Sequence, residues 1–115
     1  MHYRSSPNME RWRRLRYTIT MHLEDLLKYK KAILALAKQH GAKNIRVFGS
    51  VVRGDTTEKS DVDILVDVEP ETSLLDLGGL LMDLQDLLKC KVDVVIARSL
   101  KKRLKDHILK EAVHL

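Results

Sequence analysis

The chain has 115 residues, 32% of them charged and 44% hydrophobic, which suits one compact domain with a modest core and leaves too little for a second of ordinary size. No apolar run approaches the length of about 20 residues needed to cross a bilayer, so membrane insertion is excluded as an expectation. Met1 to Thr20 lack the apolar stretch of a secretory leader, and the lone Cys90 excludes an intramolecular disulfide. Both point to a cytoplasmic protein.

The net charge of +5 is unevenly spread. Residues 1 to 20 hold Arg4, Arg11, Arg13, Arg14 and Arg16 against Glu10, a local +4 that leaves only +1 for the other 95 residues. A strongly basic folded surface is therefore not expected, and contact with nucleic acid is an option only for this arm. Tyr3, Trp12 and Tyr17 lie among its arginines and could stack on bases. The plainer reading is an extension upstream of an internal start at Met9 or Met21. The expected division is a basic extension over 1–20 and one domain over 21–115.

In chain order, His22 to His40 carries Leu23, Leu26, Leu27, Ile33, Leu34 and Ala37 at near-helical spacing among charged residues, the pattern of an amphipathic helix. Gly41 supplies its left-handed stop. Ile45 to Phe48 reads as a strand, Val51 to Gly54 as one helical turn, and Asp63 to Val68 as a second strand that ends before Pro70. Ser73 caps a third helix in a capping-box relationship with Asp76. This helix runs to about Leu88 with Leu77, Leu80, Leu81, Leu84 and Leu88 on one face. Gly78 and Gly79 inside it signal close packing or a bend. Val92 to Ile96 is a third strand, and Leu100 to Val113 a last helix with Leu104, Ile108, Leu109 and Ala112 inward. The expected fold is a small α/β (α+β) domain, a mixed sheet of about three strands flanked by helices.

Three carboxylates sit where their neighbours are apolar. Asp61 and Asp63 open a β-branched strand at a spacing of two, which places both on one face. Asp93 interrupts Val92-Asp93-Val94-Val95-Ile96, a strand expected to be largely buried, and a buried carboxylate needs a partner. Any one of these acids alone is more simply a cap or a salt-bridge partner. Together they suit a divalent cation, because hard oxygen ligands on adjacent strands can hold Mg²⁺ and have their mutual repulsion cancelled by it. Two such ions, typically about 3.5–4 Å apart, serve in-line displacement at phosphorus. Gly49-Ser50 follows the first strand, where a missing side chain and a hydroxyl suit a phosphate. Arg53 offers a charge-assisted phosphate contact or a surface salt bridge with Asp55 or Glu58. The histidines at 2, 22, 40, 107 and 114 lack zinc-ligand spacing.

Gly49-Ser50, ten intervening residues and Asp61-Val62-Asp63 together resemble the signature of the polymerase-beta-like nucleotidyltransferase superfamily. The run GSVVRGDTTEKSDVDILV is similar to its minimal, single-domain branch. KVDVV around Asp93 and the tail LKDHILKEAVHL continue the likeness over roughly residues 22 to 115.

The resemblance implies a nucleotidyltransferase fold in which Asp61 and Asp63 bind two Mg²⁺ ions and Asp93 completes the site and assists hydroxyl activation. It also implies that Gly49 and Ser50 hold the triphosphate of ATP, with Arg53 and Ser60 as further nucleotide-binding candidates. Val51-Val52 and Cys90 stand where related sequences often carry a polar or small pair and a glycine. Such minimal members look like antitoxins of a type VII-like toxin-antitoxin pair, which transfer AMP to a tyrosine hydroxyl of a HEPN toxin. A hetero-oligomer is the implied assembly. Competing expectations are an antitoxin that only masks its toxin, and a nucleotidyltransferase acting on an aminoglycoside-type small molecule.

Overall fold

The apolar stripe of His22 to His40 folds as two helices rather than the single one expected, α1 (Leu23–Leu27) and α2 (Lys30–Gln39). The chain steps at Lys28 and Tyr29, and each segment still sends one side chain, Leu26 and Ile33, fully inside. In this computed structural model the structure describes residues 20–57 and 59–115. The expected basic extension lies, apart from Thr20, outside them.

Gly41 ends α2 at φ +77, a conformation that side chains strongly disfavour, and a Cβ there would collide with the Thr72 hydroxyl. That hydroxyl donates instead to the Gly41 carbonyl at 3.1 Å. Strand β1 (Ala42–Phe48) follows, then a single turn α3 (Ser50–Arg53) closed by Gly54 at φ +83. Next come β2 (Val62–Val68), α4 (Leu74–Leu88), β3 (Val92–Ile96), a 3-10 turn (Ala97–Ser99), α5 (Lys102–Glu111) and β4 (Val113–His114). The expected capping box is present: Asp76 N–H donates to Ser73 Oγ at 3.2 Å, and Ser73 N–H to Asp76 Oδ2 at 2.9 Å.

The sheet has four strands in the order β3-β2-β1-β4, one more than expected. The fourth comes from the region read as the end of the last helix. Ala112 is extended at φ −66, ψ 145, so α5 stops at Glu111 and the chain returns to pair antiparallel with β1, Val113 opposite Val47 and His114 opposite Arg46. Strands β2 and β3 are parallel, and α4 is the crossover that such a pair requires. Strands β1 and β2 are antiparallel, with a register shift between Lys43 and Arg46. Asn44 takes φ +52 within it and donates to Asp67 at 2.8 Å, the local bond that makes asparagine tolerable in a left-handed bulge.

Helices cover both faces. On one, Val47, Val62, Ile64 and Val66 pack with Ile33, Ala37, Leu80, Leu84 and Leu88 in the main core. Each such side chain fully buried contributes about 1.5–3 kcal/mol. On the other face α5 covers a small cluster of Leu65, Ala97 and Ile108. Of the four positions expected inward on the last helix, Ile108 is buried and Ala112, just past the end of α5, partly so, while Leu104 and Leu109 stay exposed at 49% and 38%. A four-strand sheet leaves α5 only a narrow strip to cover.

The two helix glycines differ. A Cβ on Gly79 would lie 2.8 Å from Cε1 of His40, whose Nε2 is 2.8 Å from Asp83 Oδ2, whereas a Cβ on Gly78 would meet open space. Gly78→Ala should therefore raise stability by up to about 1 kcal/mol through helix propensity. Gly79→Ala should gain nothing or lose stability, because the His40 ring must leave its bond to Asp83. Urea midpoints of the two variants check this, and equal gains would show that the close approach of His40 is not what requires glycine at 79.

Candidate active site

Asp61, Asp63 and Asp93 gather where β2 and β3 begin and β1 ends. In the parallel pair Asp63 lies directly opposite Asp93, so both side chains leave the sheet on one face, the face covered by α5. Asp61, immediately before β2, keeps the spacing of two that sends it the same way. The expectation of a buried Asp93 is corrected: β3 is an edge strand, Val94 to Ile96 are only half-buried, and Asp93 is exposed. Among the described residues no side chain pairs with it, so its charge faces solvent.

Phe48, the last residue of β1, pairs with Asp63 on the strand's other side. Gly49 therefore steps off the sheet against that carboxylate, and a Cβ at 49 would collide with Asp63 Oδ2. Its φ of +80 disfavours a side chain independently. The glycine before Ser50 is thus required twice, by backbone conformation and by contact with an acid of the cluster.

The electrostatics record the crowding. The Asp63 carboxyl is pushed from 3.8 up to about 6, first by partial burial and then by the charges of Asp93 and Asp61. Arg53 opposes the shift and Glu111 adds to it. Lys91 Nζ stands 4.0 Å from Asp61 Oδ1, a solvent-screened pair of small energetic worth. Among the described residues no three acid, imidazole or thiol groups already hold their ligating atoms at metal spacing. The acids are repelling neighbours on a common face rather than a closed cage. Hard carboxylate oxygens with excess negative charge are the donor set that suits a small divalent cation.

The remaining expected residues divide. Ser50 opens α3 beside the cluster, its carbonyl accepting from Gly54 N–H at 2.9 Å. Arg53 makes the expected salt bridge with Asp55, 3.3 Å from Nε to Oδ2, but its shorter bond runs 2.9 Å from Nη1 to Glu111 Oε1. Ser60 is used within its own turn, where Oγ accepts from Thr57 N–H at 2.9 Å and lies 3.2 Å from Thr57 Oγ1. Cys90 is buried, which pushes its thiol up to about 11 with help from Asp61, so it carries no thiolate chemistry.

Glu111 had no assigned role in the sequence reading. Its second oxygen, Oε2, accepts from Gly49 N–H at 2.9 Å, joining the end of α5 to the turn beside the acids. Burial pushes the Glu111 carboxyl up, yet the Gly49 N–H and the Arg53 guanidinium outweigh this and hold it below the usual range. One signal was available: an acid in the last turn of a helix opposes the macrodipole and invites a compensating partner.

Comparison with known proteins agrees with this arrangement. The nucleotidyltransferase domain model matches residues 27–115. The protein adenylyltransferase MntA of Thermococcus cleftensis is 45% identical over 80 residues, covering 70% of this chain and 81% of that protein. A solved structure provisionally described as a minimal nucleotidyltransferase superposes with a TM-score of 0.76 at 45% identity, over 83% of this chain and 97% of that one. A chain from the Shewanella oneidensis complex of tri-AMPylated HEPN toxin with MNT antitoxin superposes at a TM-score of 0.59. It covers 76% of this chain and 69% of that one, and at 21% identity it speaks for the fold alone. A parallel β2–β3 pair that sets acids side by side under a Gly-Ser turn, a family match spanning that whole unit, and a relative this similar lead to one assignment: the chain belongs to the nucleotidyltransferase domain family.

Proposed function

We propose that this protein is a Mg²⁺-dependent protein adenylyltransferase that moves AMP from ATP to a tyrosine hydroxyl of a HEPN-type toxin and thereby acts as its antitoxin. The observation that carries the reading is the placement of three acids on one face beside a glycine turn, Asp63 opposite Asp93 in the parallel pair, Asp61 two residues before it, and Gly49 packed against Asp63. Such crowding is costly to the fold and useful to a cation site.

Asp61, Asp63 and Asp93 would hold the metal, and their donor chemistry fits two Mg²⁺ ions. Bound there, Mg²⁺ supplies Lewis-acid stabilisation of the leaving pyrophosphate and makes the attacking hydroxyl more acidic. The chain's own groups do the rest. Gly49 keeps the turn low enough for a triphosphate to approach the backbone, Ser50 offers its hydroxyl and N–H to a phosphate oxygen, and Arg53 adds a cation beside them. The acceptor oxygen forms a bond to the α-phosphorus as the bond to pyrophosphate breaks. Its proton leaves toward Asp93, the exposed acid of the three. Ser60 acts on the nucleotide only if its turn opens.

Support for a protein acceptor comes from the relatives and from the surface. The Thermococcus cleftensis relative is a protein adenylyltransferase, and in the Shewanella complex the HEPN toxin is AMPylated. Here α4 leaves Leu74 and Leu75 83% and 86% exposed, with Met82 also outside, an apolar strip that suits a hetero-complex. We place the start of the domain at Met21, which is buried in the core, and treat 1–20 as an extension. No helix among the described residues is long and apolar enough to cross a membrane.

Two measurements test the reading. With labelled ATP, Mg²⁺ and a HEPN-type toxin, the wild type should label the toxin on tyrosine, while Asp61→Asn and Asp63→Asn should lose at least about a hundredfold in rate. Neutralisation of the toxin by the double Asn variant to the full wild-type level would sink the catalytic reading and leave masking.

The second is stability against pH. The Asp63 carboxyl is raised in the fold, so its charge destabilises the folded state fully above about pH 6 and not at all below its ordinary 3.8. Without divalent cation, Asp63→Asn should melt about 5 °C higher than wild type at pH 7.5, after discounting for solvent screening, and the gap should close toward pH 4. Added Mg²⁺ should narrow it at pH 7.5 by stabilising wild type alone. A gap independent of both pH and Mg²⁺ would remove the electrostatic basis of the site.

A further inference from the structure

Glu111 is the last residue of α5, and its carboxylate bridges two donors of the candidate nucleotide site, Gly49 N–H at 2.9 Å through Oε2 and Arg53 Nη1 at 2.9 Å through Oε1. The bridge spans 62 and 58 residues of chain. We propose that Glu111 is a positioning residue for nucleotide binding, a brace that fixes the Gly49–Ser50 turn and the Arg53 guanidinium in the geometry that receives the triphosphate. The proposal rests on the nucleotidyl-transfer reading above.

Three features carry it. The Gly49 carbonyl accepts from Val52 and Arg53 N–H at 3.0 and 3.1 Å, but the four-residue turn Ser50–Arg53 gives no partner to its N–H, and glycine at φ +80 is free to rotate on that side. That N–H is held from outside the turn, by the Glu111 carboxylate. Second, Arg53 is anchored at two of its nitrogens, Nε to Asp55 at 3.3 Å and Nη1 to Glu111, while no hydrogen bond to Nη2 is seen among the described residues. A guanidinium held in this way presents its remaining edge in a fixed direction instead of sampling rotamers, which lowers the entropy lost on binding a phosphate. Third, Glu111 is itself fixed. Two residues later Val113 pairs with Val47 of β1, and three residues before it Ile108 is buried under the sheet. The carboxylate is thus clamped between a strand pairing and a core contact, the arrangement of a brace rather than of a mobile arm.

The opposite reading of the same contacts is a latch, a carboxylate that occupies the anion site and must be expelled by ATP. The two predict opposite signs. If Glu111 braces the turn, Glu111→Ala weakens affinity for Mg²⁺-ATP and raises its KM about tenfold, with kcat changing less. Glu111→Gln keeps an acceptor for Gly49 N–H but loses the charge that holds Arg53, and should fall between the two. The experiment is calorimetric titration of the full chain with Mg²⁺-ATP, KM and kcat with the toxin substrate, and hydrogen exchange of the Gly49 amide, for wild type and both variants. Support is a loss of Gly49 protection in Glu111→Ala, partial retention in Glu111→Gln, and an affinity order of wild type, Gln, Ala. Unchanged or tighter ATP binding in Glu111→Ala overturns the brace and, if tighter, establishes the latch. Should Glu111→Ala fail to fold, a Glu111→Gln variant with wild-type affinity and wild-type Gly49 exchange overturns it as well. Wild-type protein that binds no nucleotide defeats the nucleotidyl-transfer reading itself, an outcome distinct from equal binding by wild type and variants.

Discussion

The parallel pairing of β2 with β3 forces Asp63 and Asp93 into neighbouring positions on one face of the sheet, and the site is built around that enforced repulsion. Parallel register offers no way to turn one acid aside without moving the whole strand to the other face. Val62, Ile64 and Val66, which alternate with Asp63 along β2, are locked into the main core on the opposite side. The apolar residues therefore hold the acids in place: slippage that separated the carboxylates would expose three fully buried side chains, a loss of several kcal/mol. The fold tolerates a carboxyl raised to about 6 because displacing it costs more than keeping it.

From this pairing the surrounding features follow. Gly49 must be glycine because a Cβ there would collide with the Asp63 oxygen. The bulge at Asn44 advances the β1 register by one residue, so that Phe48 rather than its neighbour stands opposite Asp63 and the chain leaves the sheet directly over the cluster. The bulge is in turn fixed by Asn44 and Arg46 converging on Asp67, at 2.8 and 3.3 Å. A polar anchor at the far end of β2 thus sets the geometry at its near end.

What the sequence disclosed and what it withheld divide along the range of the interactions. Gly41 as a helix stop, the Ser73–Asp76 box, the turn closed by Gly54 and the three longer strands are local features, and each could be read from a few adjacent residues. The two-residue spacing of Asp61 and Asp63 and the Gly-Ser turn were equally legible, because strand alternation and glycine chemistry are short-range rules. The two-residue strand β4 was not, since Val113 and His114 carry no period and owe their conformation to β1. Neither was the exposure of Asp93, which depends on β3 lying at the sheet edge, a fact of strand order rather than of its own VDVVI sequence. Glu111 was overlooked for the same reason: its partners are about sixty residues away.

The two faces of the sheet divide the work of stability and of chemistry. Nearly all the fully buried side chains lie on the face covered by α2 and α4, whereas α5 rests on Leu65, Ala97 and Ile108. A helix held by so few apolar contacts, with Leu104 and Leu109 left outside, belongs to the less stable part of the domain. Its end nonetheless reaches the Gly49–Ser50 turn through the Glu111 carboxylate and adds β4 to the sheet. The acids are thus carried on strands locked by the main core, and the backbone that faces them is fastened by a helix with a smaller apolar footing. In such a division, substitutions in α5 far from the acids, at Ile108 above all, act on the geometry of the turn before they act on the integrity of the fold.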